Sequence, residues 1–210
     1  MRTSIWLVRH GQTQLNRERR YQSGSDSPLT PYGRLQVEAL ASRLRRLPFS
    51  AAVVSPSDRA RLAAAAILAG RGVAAVEDAR WAETSHGRWE GLTYAEVVDR
   101  FGDEAAARFR DALNGRAPGG ESLAEVHARV AAGWDALLRE HPGGRVLVVT
   151  HATPIQLVLC AASGLPPTQH WRWRVDLGGL TAIDVYGAGP IVRTVNEVPR
   201  LLPTRGTPDS

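Results

Sequence analysis

The feature that most constrains the fold is a pair of continuous apolar runs, each of which ends directly before a histidine. Residues 4–9 precede His10, and residues 146–150 precede His151. Continuous apolar runs of this length are typical of strands that are buried on both faces of a parallel sheet. Because open α/β sheets bind ligands at the carboxyl ends of their strands, we expect His10 and His151 to lie side by side at that edge.

Helical patterns separate these two runs from other strand-like segments. Thr30 is a favoured N-cap, Pro31 suits the first helical position, and capping-box sequences begin at Thr93 and Ser122. Strands that alternate with helices predict an α/β fold, a three-layer sandwich with a mostly parallel central sheet and helices on both faces. Two further helices are predicted from residues 57 and 153, and four further strands over residues 51–54, 73–76, 180–185 and 191–195.

The chain has 210 residues, the length of one α/β domain. We place this single domain at residues 1–198, followed by a flexible tail over residues 199–210. The single cysteine, Cys160, excludes an internal disulfide and a multi-cysteine metal site. The apolar runs are shorter than the ~20 residues of a membrane helix, and no secretory pattern follows Met1, so we expect a cytoplasmic protein without membrane contact.

The charge is positive but dispersed. The net charge is +5, and all 26 basic side chains are arginines, because the sequence contains no lysine. Nucleic-acid sites gather basic and aromatic residues on one patch, whereas these arginines are spread along the chain. The composition therefore argues against a nucleic-acid partner and favours a small anionic substrate. The sequence leaves monomer and homodimer both open.

The most specific short motif is Arg9-His10-Gly11, because an arginine and a histidine at a strand end, followed by glycine, leave room for a phosphate near the backbone. Four motifs occur in order, at residues 9–11 with 29–36, 55–60, 83–91 and 148–151. Together they resemble the histidine phosphatase superfamily, also called the phosphoglycerate mutase-like family. The resemblance extends over residues 4–196, which is nearly the whole chain.

The resemblance implies a role for each matching residue. His10 would be the nucleophile that takes the phosphoryl group, and it would attack as a neutral imidazole. Arg9 and Arg59 would hold the phosphoryl oxygens, and His151, if protonated, would complete a cationic cradle. Glu83 would be the general acid that protonates the leaving alkoxide and then takes a proton from the attacking water. No cofactor and no metal ion are implied.

Four further residues are candidates for substrate binding. Asn16 resembles the family position that adds an amide contact to the phosphate. Gln22 lies beside Ser23 in a stretch that borders the leaving group, and Ala152 borders it from the other histidine. Glycine is commoner in the family at the positions of Ser23 and Ala152, so these two departures bear on the choice of substrate. For His86, the sequence leaves two roles open, a structural one and a contact with the substrate.

Structural roles remain as alternatives for several of these residues. Arg59 could brace its helix, and Glu83 could be an ordinary loop carboxylate; nearby Glu90 is assigned to a structural turn. Trp171 and Trp173 alternate with arginines, which predicts a strand with one buried face. The alternative is that these two tryptophans line a substrate mouth.

The resemblance favours the phosphatase branch of the family. The region of residues 92–145 is short, and it lacks the lysine that the mutases carry after the acid segment. Residues 175–181 resemble the α-ribazole phosphatase group and its broad-specificity relatives, which implies α-ribazole-5'-phosphate or a sugar phosphate as substrate. The alternatives are a 2,3-bisphosphoglycerate-dependent phosphoglycerate mutase and a non-catalytic relative that binds a phospho-ligand.

Overall fold

The computed structural model describes residues 1–201, and its six strands form one sheet in the order β3-β2-β4-β1-β5-β6. The first four strands in this order are parallel, whereas β5 is antiparallel to β1 and β6 is antiparallel to β5. The predicted α/β fold with a mostly parallel central sheet is therefore confirmed. The strands are β1 (Thr3–Arg9), β2 (Ala51–Val54), β3 (Ala75–Glu77), β4 (Arg145–Thr150), β5 (Leu180–Tyr186) and β6 (Gly189–Glu197).

Four helices begin at the predicted caps, whereas the short helix over Gln14–Arg17 was not predicted. The Thr30 hydroxyl accepts from the Gly33 amide, and capping boxes form at Thr93 and Ser122. The last helix starts at Ala152, earlier than predicted, because Pro154 falls in the first turn, where its missing N–H has no intrahelical partner. The helices are α1 (Gln14–Arg17), α2 (Pro31–Leu44), α3 (Asp58–Leu68), α4 (Tyr94–Arg110), α5 (Leu123–Glu140) and α6 (Ala152–Ser163).

Alternate residues of the central strands enter two separate cores, one on each face of the sheet. Trp6 and Val8 of β1 pack with the apolar faces of α2 and α3. Ile5 and Leu7 of the same strand pack on the other face with side chains of α5 and α6. Because successive strand side chains point to opposite faces, each central strand contributes to both cores. This gives the predicted three-layer sandwich, with β1 and β4 at its centre.

The segment around Trp171 and Trp173 differs from its predicted strand. Residues Pro167–Arg172 form a 3-10 helix, and Trp171 is 71% exposed while Trp173 is half-buried. Pro167 has no backbone N–H to give to a sheet ladder, and the Trp173 amide instead donates to the His170 carbonyl at 3.0 Å. The strand prediction was wrong because alternation over only four residues is a weak strand signal. The preceding proline instead favours the observed 3-10 helix.

Two further predictions bear on the ends of the chain and on membranes. The predicted tail over residues 199–210 lies, from residue 202 onward, outside the described residues. Within residues 1–201, no helix combines the length and the apolar character needed to cross a membrane.

Candidate active site

The register between β1 and β4 places two histidines next to each other. Arg9 of β1 is opposite Thr150 of β4, and the His10 amide donates to the Thr150 carbonyl at 3.2 Å. The rings of His10 and His151 therefore meet edge to face, with centroids 5.1 Å apart, and both residues are buried. This confirms the expectation that both histidines emerge together at the carboxyl edge of the parallel strands.

The ring of His10 is held by its own backbone. Its Nδ1 lies 2.7 Å from the Gly11 carbonyl oxygen, so Nδ1 carries the proton and donates to it. The lone pair is then on Nε2, which accepts from Arg59 Nε at 3.3 Å. Burial lowers the pKa of His10 well below its usual value, and the charges of Arg59 and Arg9 lower it further. His10 is therefore a neutral imidazole whose Nε2 lone pair faces a cation.

Gly11 is required by packing against helix α2. A Cβ at Gly11 would lie 2.3 Å from the Gly33 carbonyl oxygen, and a Cβ at Gly33 would lie 2.0 Å from the Gln12 carbonyl oxygen. The two glycines thus let the backbone after β1 lie directly on the first turn of α2. The sequence explained Gly11 by room for a phosphate, whereas the structure shows that α2 takes the space next to this residue.

His151 is anchored by the opposite ring nitrogen. Its Nε2 is 2.7 Å from Ser55 Oγ and 3.3 Å from Ser57 Oγ, while its Nδ1 accepts from Arg59 Nη2 at 3.3 Å. Burial lowers the pKa of His151 well below 6.5, and the neighbouring His10 and Arg59 lower it further. The structure thus favours a neutral His151 in the free protein, so the cationic charge of the site comes from the arginines.

The charges of two guanidinium groups act on the His10 ring: Arg59 is buried and Arg9 is half-buried. Arg9 donates from Nη1 to the Val175 carbonyl at 2.6 Å, and its buried Nε has no partner among the described residues. Arg59 donates from Nη2 to the Ser23 carbonyl at 2.8 Å. Burial lowers the pKa of both arginines, and the carboxylate of Glu83 partly offsets that effect, yet a guanidinium stays protonated in proteins. Arg59 therefore presents fixed positive charge at Nε2, and the charge of Arg9 also acts on the His10 ring.

Glu90 holds the loop that supports Arg59. Its carboxylate accepts from the backbone amides of Ser23 at 2.8 Å and Ser25 at 3.1 Å, and from both serine hydroxyls. Burial raises the pKa of Glu90, but these hydrogen bonds outweigh it and lower the pKa overall. The bonds fix the Ser23 carbonyl, which in turn accepts from Arg59. Glu90 thus has the structural position that the sequence assigned to it.

Glu83 follows a 3-10 helix over Ala79–Trp81 that is tied to the central sheet. The Thr150 hydroxyl donates to the Trp81 carbonyl at 2.5 Å, and the Glu83 carboxylate accepts from the Thr84 amide at 2.8 Å. Glu83 is half-buried and lines a cleft of 490 Å³. Its charge raises the pKa of both Arg9 and Arg59, against the effect of burial.

The amide side chains proposed to bind substrate have partners within the protein. Asn16 Oδ1 accepts from the Thr13 amide at 3.1 Å and thereby caps α1. Gln22 is buried, and its Oε1 accepts from the Thr13 hydroxyl at 2.6 Å. Ser23 contacts Glu90 as described above, and Ala152 is half-buried in the first turn of α6. The substrate contacts of these four residues stay predictions.

His86 lies on the rim of this region, against an aromatic ring. Its ring packs on that of Tyr21 with centroids 4.9 Å apart, and its amide donates to Ser23 Oγ at 3.2 Å. Burial lowers its pKa below 6.5, whereas Glu83 and Glu90 act in the opposite direction. This placement is compatible with both roles left open by the sequence, and substrate contact stays a prediction.

Two residues of the site were missed by sequence reasoning. Ser55 directly follows β2, and the position of this strand beside β4 could have placed its hydroxyl at the same sheet edge. Arg129 lies in the second turn of α5, and Glu121 directly precedes the Ser122 N-cap of that helix, so the capping-box sequence placed both near the start of α5. Ser55 supports His151, and Arg129 supports the backbone of Glu83 with a hydrogen bond of 3.0 Å.

Comparisons with known proteins agree with this geometry. The family model described as histidine phosphatase superfamily, branch 1, matches residues 5–198. A Mycobacterium tuberculosis protein described as bifunctional is 38% identical over 198 residues, which is 93% of this chain and 54% of that protein. The chain thus spans about half the length of the first curated relatives it matches.

Two other relatives match along nearly their whole length. A probable phosphoglycerate mutase of Klebsiella pneumoniae is 32% identical over 206 residues, covering 94% of each chain. The crystal structure of a putative α-ribazole-5'-P phosphatase from Escherichia coli has a TM-score of 0.89 and 27% identity, covering 94% of this chain and 97% of its own. The fold of the Escherichia coli protein is therefore shared over 94% of this chain.

Proposed function

Because the chain belongs to the histidine phosphatase superfamily, branch 1, we propose that it hydrolyses small-molecule phosphate monoesters through a phosphohistidine at His10, without a metal ion. The observation that carries this proposal is the orientation of the His10 ring. The Gly11 carbonyl holds Nδ1–H, so the Nε2 lone pair points toward Arg59. A neutral imidazole with its free nitrogen beside a cation is the arrangement that attack on a phosphate dianion requires.

In the first step, Nε2 of His10 attacks phosphorus and the bond to the ester oxygen breaks. Arg59 Nε–H shifts its hydrogen bond from Nε2 to a phosphoryl oxygen, which frees the lone pair for attack. Arg9 supplies its Nε–H, which has no other partner among residues 1–201. Since negative charge is spread over these oxygens in the transition state, two guanidinium groups that the protein already holds in place stabilise it, and only the Arg59 Nε hydrogen bond changes its acceptor.

Glu83 donates a proton in the first step and accepts a proton in the second. As a carboxylic acid it gives its proton to the departing alkoxide oxygen, which leaves as the alcohol. As a carboxylate it then takes a proton from water, whose oxygen attacks phosphorus and breaks the bond to Nε2. Inorganic phosphate leaves, and His10 and the acid form of Glu83 are restored. The half-buried carboxylate of Glu83 in the cleft, whose charge acts on both Arg9 and Arg59, supports this role.

We propose α-ribazole-5'-phosphate or a sugar phosphate as the substrate class. The structural similarity to the Escherichia coli protein described as a putative α-ribazole-5'-P phosphatase supports this choice. The cleft beside Glu83 supports it as well, since hydroxyl and carboxylate groups of the protein suit a polyhydroxylated leaving group. These groups belong to Ser23, Asp26, Ser55, Ser57, Ser85 and Glu121.

A phosphoglycerate mutase is the second candidate, because the Klebsiella relative is described as a probable one. A mutase must also hold the carboxylate of its sugar acid, and an unpaired guanidinium would serve that purpose. Arg129 is the basic residue that lines the cleft, and all five of its N–H groups are used by protein acceptors. This observation favours hydrolysis over transfer.

The test is phosphate release from a panel of monoesters in the presence of EDTA. The panel contains p-nitrophenyl phosphate, α-ribazole-5'-phosphate, several sugar phosphates and 3-phosphoglycerate. We expect turnover without metal, fastest with an uncharged alcohol as leaving group. Interconversion of 3-phosphoglycerate primed by 2,3-bisphosphoglycerate, with little phosphate release, would identify a mutase. Binding of phosphate esters without turnover would identify a non-catalytic relative. The cytoplasmic location and the choice between monomer and homodimer stay predictions.

A further inference from the structure

Resting on the proposed function, the geometry points to a positioning residue for the general acid: we propose that Arg129 sets the orientation of the Glu83 carboxylate by holding the peptide group that follows Glu83. Arg129 lies on α5, outside the four sequence motifs that resemble the family. Its guanidinium donates to backbone carbonyls of the segment that carries Glu83.

The guanidinium of Arg129 is fully used by the protein. Nε donates to Glu121 Oε1 at 2.8 Å, and Nη1 donates to the carbonyls of Arg80 at 3.0 Å and Ala82 at 2.7 Å. Nη2 donates to the Glu83 carbonyl at 3.0 Å and to Glu121 Oε2 at 2.9 Å. An arginine has five N–H donors, and these five bonds use them all. Arg129 therefore acts on the protein backbone and has no donor left for a substrate.

One of these bonds reaches the peptide group that orients the acid. The Glu83 carbonyl and the Thr84 amide belong to the same planar peptide unit. Arg129 holds the carbonyl end of this unit, and the amide end donates to the Glu83 carboxylate at 2.8 Å. A rotation of this peptide plane would move the amide and the carboxylate bound to it. Arg129 thus fixes the carboxylate through one rigid group.

Glu121 fixes the other side of the same segment. Its Oε2 accepts from the Ser85 amide at 2.8 Å, and its own amide donates to the Ser85 carbonyl at 2.9 Å. The Arg129–Glu121 ion pair is 18% and 28% exposed, so water competes little for these bonds. The pair acts on Glu83 through these hydrogen bonds to the backbone of residues 83–85.

When the general acid is misplaced, the loss of kcat/KM depends on the leaving group of the ester. Release of p-nitrophenolate needs little protonation, whereas an alkoxide must receive a proton as the bond breaks. The value of kcat/KM reports the steps up to release of the alcohol, so it isolates the acid role of Glu83 from its later role as a base. A residue that positions Glu83 must therefore affect kcat/KM of alkyl esters far more than that of p-nitrophenyl phosphate.

The experiment compares Arg129→Lys with Arg71→Lys. Arg71 is the matched control, because it also donates to three backbone carbonyls, those of Leu44, Leu47 and Ile67, but contacts none of the site residues. We expect Arg129→Lys to lower kcat/KM of an alkyl phosphate about 10- to 100-fold and that of p-nitrophenyl phosphate less than about threefold. Arg71→Lys should lower the thermal midpoint without changing the ratio between the two esters.

A double-mutant cycle with Glu83→Gln separates this inference from the proposed function. We expect Glu83→Gln to show the same selective loss, and Arg129→Lys to add little in the Glu83→Gln background. A selective loss in Glu83→Gln without one in Arg129→Lys would overturn the role of Arg129. No selective loss in Glu83→Gln would overturn the acid role of Glu83 itself. If Arg129→Lys does not fold, Glu121→Gln takes its place, because it keeps the shape of the Arg129–Glu121 pair. We expect Glu121→Gln to reproduce the selective loss. Equal losses on both esters would refute the positioning role of Arg129.

Discussion

The residues that follow β1 and β4 have equivalent positions, but they differ in which ring nitrogen of the histidine the protein holds. Each parallel strand ends in a buried histidine, and the two rings touch. At the end of β1, a backbone carbonyl holds Nδ1 of His10 and leaves Nε2 free. At the end of β4, the Ser55 hydroxyl holds Nε2 of His151 and leaves Nδ1 facing Arg59. The two histidines therefore have equivalent positions in the sheet, yet His10 presents Nε2 to Arg59 and His151 presents Nδ1.

This difference assigns the roles of the two histidines. A backbone carbonyl accepts hydrogen bonds but cannot donate, so it fixes one tautomer of His10 with a lone pair on Nε2. The Ser55 hydroxyl instead holds Nε2 of His151, so the nitrogen of His151 that faces Arg59 is Nδ1. His10 is therefore suited to covalent attack. His151 is suited to support a phosphoryl group whose negative charge raises the pKa of a neighbouring imidazole.

The largest expected effect is that of His10→Ala. Removing the nucleophile should lower kcat by about 10⁴-fold or more, because the remaining groups only bind and polarise the ester. Steady-state phosphate release under saturating p-nitrophenyl phosphate measures the change. Circular dichroism checks that the fold is retained. Activity within about tenfold of wild type would mean that the ends of β1 and β4 do not differ as described.

His151→Ala should have a smaller effect of a different kind. We expect kcat to fall about 10²- to 10³-fold, the loss typical for one group that stabilises charge in a transition state. The phosphorylated enzyme should still form, since Nε2 of His10 is unchanged. Rapid quench followed by intact mass spectrometry measures it. If His151→Ala abolished the phosphorylated enzyme and His10→Ala retained it, the two roles would be reversed.

The free energy of unfolding should depend on pH below neutrality. Burial, with neighbouring positive charge, lowers the pKa of both His10 and His151, whereas imidazoles of the unfolded chain take up protons near pH 6.5. The unfolded state thus binds more protons, and stability falls as the pH decreases from about 7.5 to 5.5, by up to roughly 1.4 kcal/mol for each histidine. Urea unfolding measures this slope, which should be shallower in His151→Gln. A slope of opposite sign would contradict the burial of neutral imidazoles.

Ser55→Ala should give the smallest effect of this series. It removes the 2.7 Å contact to His151 but leaves Ser57 at 3.3 Å, so we expect kcat to fall about tenfold and the free energy of unfolding by about 1 kcal/mol. Ser57→Ala is the matched control and should cost less in both measurements. If Ser57→Ala were the more damaging change, Ser55 would not be the main anchor of the ring.

Sequence reasoning located the two histidines because the signals are local. The apolar runs before His10 and His151 indicate buried parallel strands, and such strands end at one edge. The anchors of the rings could not be found in this way. The contact between Ser55 and His151 joins residues 96 positions apart and depends on β2 lying beside β4, which no local pattern records.

Other differences also come from contacts between distant segments. The need for Gly11 arises from its packing on Gly33 of α2, and the motif alone suggested a phosphate instead. The support of Glu83 by Arg129 spans 46 residues and joins α5 to a loop. The 3-10 helix at Trp171 had a local signal, the preceding prolines, which the period-two pattern obscured.

The central claim is that Nε2 of His10 takes the phosphoryl group. The most direct test is to quench the enzyme during turnover, digest it under alkaline conditions that preserve phosphohistidine, and identify the modified residue and nitrogen by mass spectrometry and ³¹P NMR. We predict phosphate on Nε2 of His10 in the wild type and in His151→Ala. Phosphate on Nδ1, on His151, or on neither histidine during active turnover would contradict the account.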